Sequence, residues 1–507
     1  MIKFFSIIFL LHLILFESKA QKEDYFWIFG YDNSPPVGNN ETYYFDFNKG
    51  SSPVADAGLS PLWIRGNNAS ICDQYGNLLF YTNGCHVADS NHEIMPNGSG
   101  INEGVFLEEF RQDTCAHYPG IQDVLILPDP ADEKGYYLLH KTIEFDEEVF
   151  VNNVKYSYID LSLNGGSGDI TEKNVDILPS DEMILLNYLT AISHEENNGW
   201  WILQPDNIGN FITIFLDDSG FNVDKLQPSG IQFHPNSSGS GTAKFSPDGK
   251  QFLYFNDDDN VLLYDFDRTT GILSDLRQLR ILPGGASGLI TSVEFSPNSR
   301  YAYVAAQPEL YQMDTWEDNL EDGLVLIDTW NGVQDPFSTT FLLMASAPDC
   351  KIYMCSGSGT FSYHVINKPN EKGPACNFVQ QGIRLPFVSA TATMPNFPRF
   401  RVDEDDKCDP TITSIFGDHV YYRRDMTVYP NPVRDILTVE ISEGKKGQLV
   451  VFDMQGQLVW SDSDHGSYTD KVQIDLSGLA VGSYSIEFLP EGNKERLVYT
   501  SQVVRVE

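Results

Sequence analysis

The sequence predicts an all-β chain: a β-propeller of about seven blades followed by a small Ig-like β-sandwich. Three observations lead there. A strand–turn–strand unit recurs through the body with a period near fifty residues. Sustained helical periodicity is almost absent, Val105–Arg111 being the one short candidate. The C-terminal stretch, residues 426–507, is a succession of short alternating strands.

The repeat is clearest in Ala243–Phe255, Val293–Val304 and Met344–Met354, whose prolines Pro247, Pro297 and Pro348 sit 50 and 51 residues apart. Each copy reads as strand, Pro-Asp-type turn, strand, because Pro presets φ and Asp or Asn tolerates the tight geometry that follows. Weaker copies lie at Cys72–Tyr81, Leu127–Leu139 and His194–Leu203. A third strand is expected between copies at Lys155–Asp160, Asn260–Phe266 and Gly323–Asp328. Tyr25–Phe29 and Glu41–Phe47 then stand without a first partner, and Ala390–Met394 is a strand without followers. Joined, they make a composite blade that closes the ring and removes its open edges. Seven blades is the resulting count, with six and eight still open.

Residues 403–425 form an acidic linker, and the second domain spans 426–507 with strands expected at Ile436–Ile441, Gln448–Asp453, Gln457–Trp460, Lys471–Asp475, Ser483–Phe488 and Arg496–Thr500. The propeller occupies 21–402. Residues 1–20 read as a signal peptide, with Lys3 at the charged start, an apolar run over Phe4–Phe16 and the small-x-small exit Ser18-Lys19-Ala20. The apolar run is shorter than the roughly 18–20 residues that cross a bilayer, and no later stretch is long enough either. The mature chain is therefore expected to carry no transmembrane segment and to be secreted or held at the outer cell surface.

Charge narrows the partners. Thirty-three Lys and Arg face 71 Asp and Glu, a net charge of −38. Such an excess repels phosphate backbones, which excludes nucleic acid as a partner, and it favours solubility. The seven cysteines all lie beyond the signal, and in an exported chain they are expected to pair in part. The expected bridges are Cys72 with Cys85 and Cys350 with Cys376, leaving at least one free thiol.

Several motifs in the second domain occur in a fixed order: Tyr429-Pro430-Asn431-Pro432 leading into Leu437–Val439, then Asp453–Gly456, then Ile474–Tyr484 with Gly482 before Tyr484, and a terminal Val503–Val506. This domain resembles the type A sorting domain of the Bacteroidota type IX secretion system. Pro430 and Pro432 are expected to hold the entry segment extended and without ladder donors, and Gly456 to sit in a hairpin turn. The resemblance implies passage through the periplasm on the signal peptide, followed by outer-membrane translocation by secretion machinery that reads this domain. The body, through Tyr75–Gly84, His92–Gly98, Asp160–Asp169, His364–Asn370, Ala375–Phe378 and Pro395–Phe400, resembles the WD-repeat or quinoprotein-like propeller cargo that precedes such domains. That family is defined by architecture and implies no substrate.

No catalytic constellation emerges. There is no Gly-x-Ser-x-Gly elbow, Ser240 and Ser358 lie in Gly-Ser-Gly loops, and His194-Glu195 is followed by Asn198 where a zinc helix would place a second His. No phosphate loop, dinucleotide fingerprint or other cofactor signature is present. Calcium is the one ion worth weighing, at the acidic turn Asn256–Asn260, though a turn of that length offers few oxygens. His86, His92 and His117 near Cys85 and Cys115 read as blade loops rather than a metal cluster. Among the aromatics, Trp200, Trp201, Trp316 and Trp330 are the least committed to the core and could stack on a sugar or peptide. The leading functional reading is a binding module for a polymer or protein. The alternative is a propeller enzyme, a hydrolase or lactonase, and it requires ionisable groups from several blades converging at the central channel.

Overall fold

A computed structural model describes residues 21–402 and 422–506 apart from 31–39, 50–52, 106–116, 147, 180–182, 197, 234–240, 257, 259, 282–291, 387, 391, 426, 442–446, 454–457, 462–469 and 491–496. The signal segment, the Val105–Arg111 helix beyond its first residue and much of the acidic turn at 256–260 thus lie outside the described residues.

Among the described residues the body contains seven successive antiparallel sheets and a separate hairpin, Ile143–Asp146 with Glu148–Val151. The fourth to seventh sheets have their four strands in chain order. The fifth, for example, is Thr242–Phe245, Gln251–Asn256, Asn260–Asp267 and Ile272–Leu279. All six sequence repeats fall at the same place, the hairpin between the first and second strands of sheets two to seven. The turns are built as expected. In sheet five Ser246 Oγ donates to Asp248 Oδ1 at 2.6 Å while the Gly249 amide donates to the Ser246 carbonyl at 2.9 Å, and in sheet six Ser296 Oγ donates to Asn298 Oδ1 at 2.7 Å. One strand assignment shifts. Leu324–Thr329 is the fourth strand of sheet six, because Glu309–Asp314 forms a third strand that the repeat pattern did not reveal.

First strands of neighbouring sheets touch from sheet one to sheet three and from sheet four to sheet seven, which places them on the inner side. Their burial agrees: Ala69–Cys72 and Ser292–Phe295 are buried throughout, whereas outer strands such as Ile272–Leu279 are largely exposed. Sheet one has three strands, Phe26–Gly30, Asn40–Asp46 and Val54–Ser60, rather than the two expected. The predicted closing strand at 390–394 does not form as a strand. Ala392 takes φ +52°, outside the extended region, although the Ala390 amide still donates to the Gly30 carbonyl at 3.0 Å. Closure comes from side chains: Trp27, Phe29, Tyr43 and Phe45 of sheet one pack in one buried cluster with Leu343, Tyr353 and Tyr363 of sheet seven.

The C-terminal body is a sandwich of a five-stranded and a three-stranded sheet around Leu437, Val439, Leu449, Val451, Ile474, Ile486 and Phe488. All six expected strands are present. Tyr422–Asp425, expected in the linker, instead pairs in parallel with Leu497–Arg505.

The cysteine pairing departs from expectation. Cys72 and Cys376 are free and buried, as is Cys355, whereas Cys85 and Cys350 are disulfide-bonded. The Cys72–Cys85 bridge fails on geometry. Cys72 pairs with Leu78 at one end of its hairpin, and Cys85 follows Thr82, which pairs with Ala69 at the other end. At about 3.3 Å per strand residue, the two exceed the ~7 Å Cα limit for a bridge. Cys350 occupies the inner turn of sheet seven, while Cys376 sits in the short helical turn Gly373–Cys376, packed in a cluster with Tyr303 of sheet six.

Candidate functional site

The propeller axis is the place to test for an active site, and the chain itself runs through it. The segment Pro395–Arg401 leaves sheet seven and binds the inner strands one after another. The Asn396 amide donates to the Asn68 carbonyl at 2.8 Å, and its Nδ2 donates to the carbonyls of Val124 and Leu189, each at 3.0 Å. The Arg399 amide donates to Ala191 O at 2.8 Å, and its Nη2 donates to Phe245 O at 2.8 Å and to Glu294 Oε1 at 3.2 Å. Arg401 pairs with Asp24. One short segment therefore touches sheets two to six and returns to the start of the body.

Ionisable groups from several blades do converge here, which is the pattern an enzyme needs. Lys244 of sheet five and Glu294 of sheet six lie 3.7 Å apart, and Glu294 is 2 % exposed. Burial works to raise the Glu294 carboxyl, but Lys244, Arg399 and the Ser346 hydrogen bonds outweigh it and hold the group below the usual carboxylate value. Burial lowers Lys244, opposed by Glu294. Each charge is thus committed to another. The cavity beside them is about 50 Å³. That is room for one or two waters at ~30 Å³ each, far below the ~300 Å³ of the smallest ligand pockets.

A second buried charge pair, which sequence reasoning missed, is also committed. Lys141 Nζ lies 2.6 Å from Asp123 Oδ1, and it also faces the carbonyls of Leu185 and Asn187 at 3.0 and 2.5 Å and Gln204 Oε1 at 3.0 Å, so its three hydrogens are shared among four acceptors. Neither residue sits in a repeat motif, and nothing in the local sequence distinguishes this lysine from a surface one.

Ligand-sized space opens on the flank instead, in a cleft of about 640 Å³ between sheets five and six. Gln251, Asp265, Asp275 and Arg277 of sheet five line one side, and Thr315, Trp316 and Asp318 of sheet six the other. Trp316 is 65 % exposed. Its amide donates to Asp314 Oδ1 at 3.2 Å, and Arg300 lies 5.0 Å over its ring while making two-pronged hydrogen bonds to Asp314. Arg277 bonds the Thr315 carbonyl at 2.6 Å and pairs with Asp265 at 3.2 Å, tying the walls together. The other uncommitted tryptophans resolve differently. Trp200 and Trp201 are buried, and Trp330 is partly buried with its Nε1 donating to Thr339 Oγ1 at 3.0 Å.

Among the described residues, no three His, Cys, Asp or Glu are grouped to hold a metal, and Cys85 is consumed by its disulfide. No described helix is long and apolar enough to cross a membrane.

In the C-terminal body, Tyr429-Pro430-Asn431-Pro432 is not an extended entry. It bends between Thr427–Tyr429 and Ile436–Ile441, two strands that pair, so the chain must reverse there. The prolines, lacking donors, sit outside the ladder as expected. Asn431 Oδ1 accepts from the Val504 amide at 2.9 Å, and the neighbouring Val433 amide donates to Val504 O at 2.8 Å, stitching the motif to the last strand. Tyr429 Oη donates to Glu440 and accepts from Lys471, each at 2.9 Å. Gly482 opens the strand Gly482–Pro490, and buried Tyr484 donates to Ala480 O at 2.7 Å. Gly456 lies outside the described residues.

Several known proteins are similar to parts of this chain. Residues 427–500 match the family model described as a secretion system C-terminal sorting domain. A WD repeat-containing protein 26 homolog of Drosophila melanogaster is 20% identical over 52% of this chain, which spans about two fifths (39%) of that relative's length. Among solved structures, PorZ, a surface component of the type IX secretion system of Porphyromonas gingivalis, is 10% identical, covering 93% of this chain and 68% of that one, with a TM-score of 0.31. A putative 6-phosphogluconolactonase from Bacteroides uniformis is 12% identical, covering 90% and 100%, with a TM-score of 0.35. The Cps50 (Swd1) β-propeller domain of Myceliophteria thermophila is 11% identical, covering 62% and 87%, with a TM-score of 0.34. Identities this low transfer no activity. The chain is thus a β-propeller body followed by a C-terminal domain that is similar to secretion-system sorting domains.

Proposed function

We propose that the body is a binding module for a polymer or another protein, released or displayed outside the cell after export through the periplasm on the signal peptide at 1–20. The single observation that carries this reading is the occupied axis. Pro395–Arg401 fills the place where a propeller enzyme would hold its substrate, and the ionised groups there are paired with one another. A space of ligand size lies on the flank, lined by Trp316, Gln251, Thr315 and Leu276 together with Arg277 and the carboxylates of Asp265, Asp275 and Asp318. That composition suits recognition, because it offers a stacking surface and hydrogen-bond partners, and Asp265 is already paired with Arg277.

Two measurements test the reading. Removing residues 426–507 in a host with the type IX route should leave the body in the periplasm, and a truncated chain that still reaches the surface would refute the route. Probing a glycan and peptide array with the mature chain should give at least one saturable ligand. Catalytic turnover of a lactone or ester that is abolished by Glu294→Gln, in protein that remains folded, would favour the enzyme instead.

A further inference from the structure

We infer that the cleft between sheets five and six binds an uncharged saccharide, with Trp316 as the stacking platform. This rests on the reading of the body as a binding module and names its ligand class.

The argument begins with exposure. Most large aromatics among the described residues are buried or partly buried, and Trp316 at 65 % exposure leaves its apolar ring in water. Its position is nonetheless held from three sides. The Trp316 amide is bonded to Asp314, itself 1 % exposed. Arg300, gripped by the same carboxylate, lies 5.0 Å over the ring. Arg277 bonds the carbonyls of Thr315 and Glu317, at 2.6 and 3.3 Å, on either side of the tryptophan. An aromatic held in place in water by buried and cross-sheet contacts is ordered before any ligand arrives, which lowers the cost of binding.

The lining then selects the class. Asp265, Asp275 and Asp318 confront Arg277 and Arg300 around the ring, so both signs of charge are present. A cationic peptide would meet two guanidiniums, one already over the indole. A uronate or phosphate would meet three carboxylates. An uncharged sugar meets neither penalty: its apolar ring face stacks on the indole, and its hydroxyls donate to the carboxylates and Gln251. The cleft, of about 640 Å³, is open to solvent and admits a sugar against the indole without enclosing it. The cleft opens along the flank between two sheets, so an internal segment of a polysaccharide fits as well as a chain end.

The test uses the full mature chain, residues 21–507, against arrayed neutral oligosaccharides, uronate-containing oligosaccharides and basic peptides. Wild type should bind neutral oligosaccharides with little change when salt is raised to about 0.5 M, since no ion pair is made across the interface. Trp316→Ala should weaken that binding at least roughly tenfold while leaving the melting temperature unchanged, as expected for an exposed side chain. Trp316→Phe should keep part of the affinity, because a smaller ring still stacks. Neutral-saccharide binding that survives in Trp316→Ala overturns the cleft assignment and leaves the binding module standing. Binding confined to basic peptides or to acidic saccharides overturns the ligand class alone. Wild-type protein that binds nothing in any arm overturns this inference and the binding reading together.

Discussion

Tyr43 and Tyr363 place their hydroxyl oxygens 2.8 Å apart, joining the first sheet of the propeller to the last across 320 residues of chain. Both side chains are fully buried, and Tyr363 also donates to the Thr393 carbonyl at 3.3 Å, on the segment that leads to the axis. The ring is closed here by a hydrogen-bonded pair inside an aromatic cluster, where sequence reasoning expected a strand.

Tyr43→Phe should therefore cost about 1–2 kcal/mol, the typical loss when a buried hydrogen bond is removed and its partner left short. Tyr43→Phe combined with Tyr363→Phe should cost less than the sum of the two, because the second change removes the group that the first orphaned. Urea unfolding of the three variants measures this. Strict additivity would show that the two hydroxyls do not interact.

Glu294 neutralises Lys244 and Arg399 at once in a site with almost no solvent. Glu294→Gln should destabilise the body by about 3–5 kcal/mol, since two cations lose their buried counter-charge. The folded-state pKa of Glu294 lies below its ordinary 4.5, so its contribution is present above pH 4.5 and disappears as pH falls through the lowered value. Wild type should lose this increment in acid, and Glu294→Gln should lack it.

Glu23 behaves in the opposite sense. Burial, opposed by a backbone hydrogen bond and aided by Asp24, raises its carboxyl from 4.5 to about 7, and its Oε2 is buried without a hydrogen-bond partner. The folded state holds this proton more tightly, so the contribution is present below pH 4.5 and is lost as pH rises toward 7. The slope from this one group is at most about 1.4 kcal/mol per pH unit. Melting temperatures across that window should fall in wild type more steeply than in Glu23→Gln, and parallel curves would refute the assignment.

Thiol chemistry gives a direct count of the pairing. Cys72, Cys355 and Cys376 are buried and free, and burial raises all three thiols, Cys355 to about 12. Native protein should resist alkylation at these sites because both access and thiolate are lacking. After denaturation without reductant, peptide mass spectrometry should find Cys72, Cys355 and Cys376 alkylated and Cys85 and Cys350 protected. Alkylated Cys85 in that sample would contradict the structure.

The strands and turns were legible because their causes are local. Pro247, Pro297 and Pro348 mark the first hairpin of three sheets, since a proline followed by Asp or Asn bends the chain whatever lies around it. The strands around Tyr429–Pro432, Gly482 and Tyr484 were legible for the same reason, whereas the bend at Tyr429–Pro432 was not, because it is set by the pairing of Thr427–Tyr429 with Ile436–Ile441 and by the last strand. Trp316 was flagged only as one of four ambiguous tryptophans. Its backbone is held by Arg277, which comes from the neighbouring sheet and bonds the carbonyls on either side of it.

By itself, then, the sequence determined the all-β class, the repeat and the likeness of the C-terminal stretch to a sorting domain, all of which follow from patterns within a few tens of residues. Tertiary structure decided which cysteines stay free, how the ring closes and what fills its axis. Those outcomes rest on contacts such as Tyr43 with Tyr363, Arg401 with Asp24 and Arg399 with Glu294. Residues separated by hundreds of positions meet only when the sheets have closed into a ring, and no local propensity records that meeting.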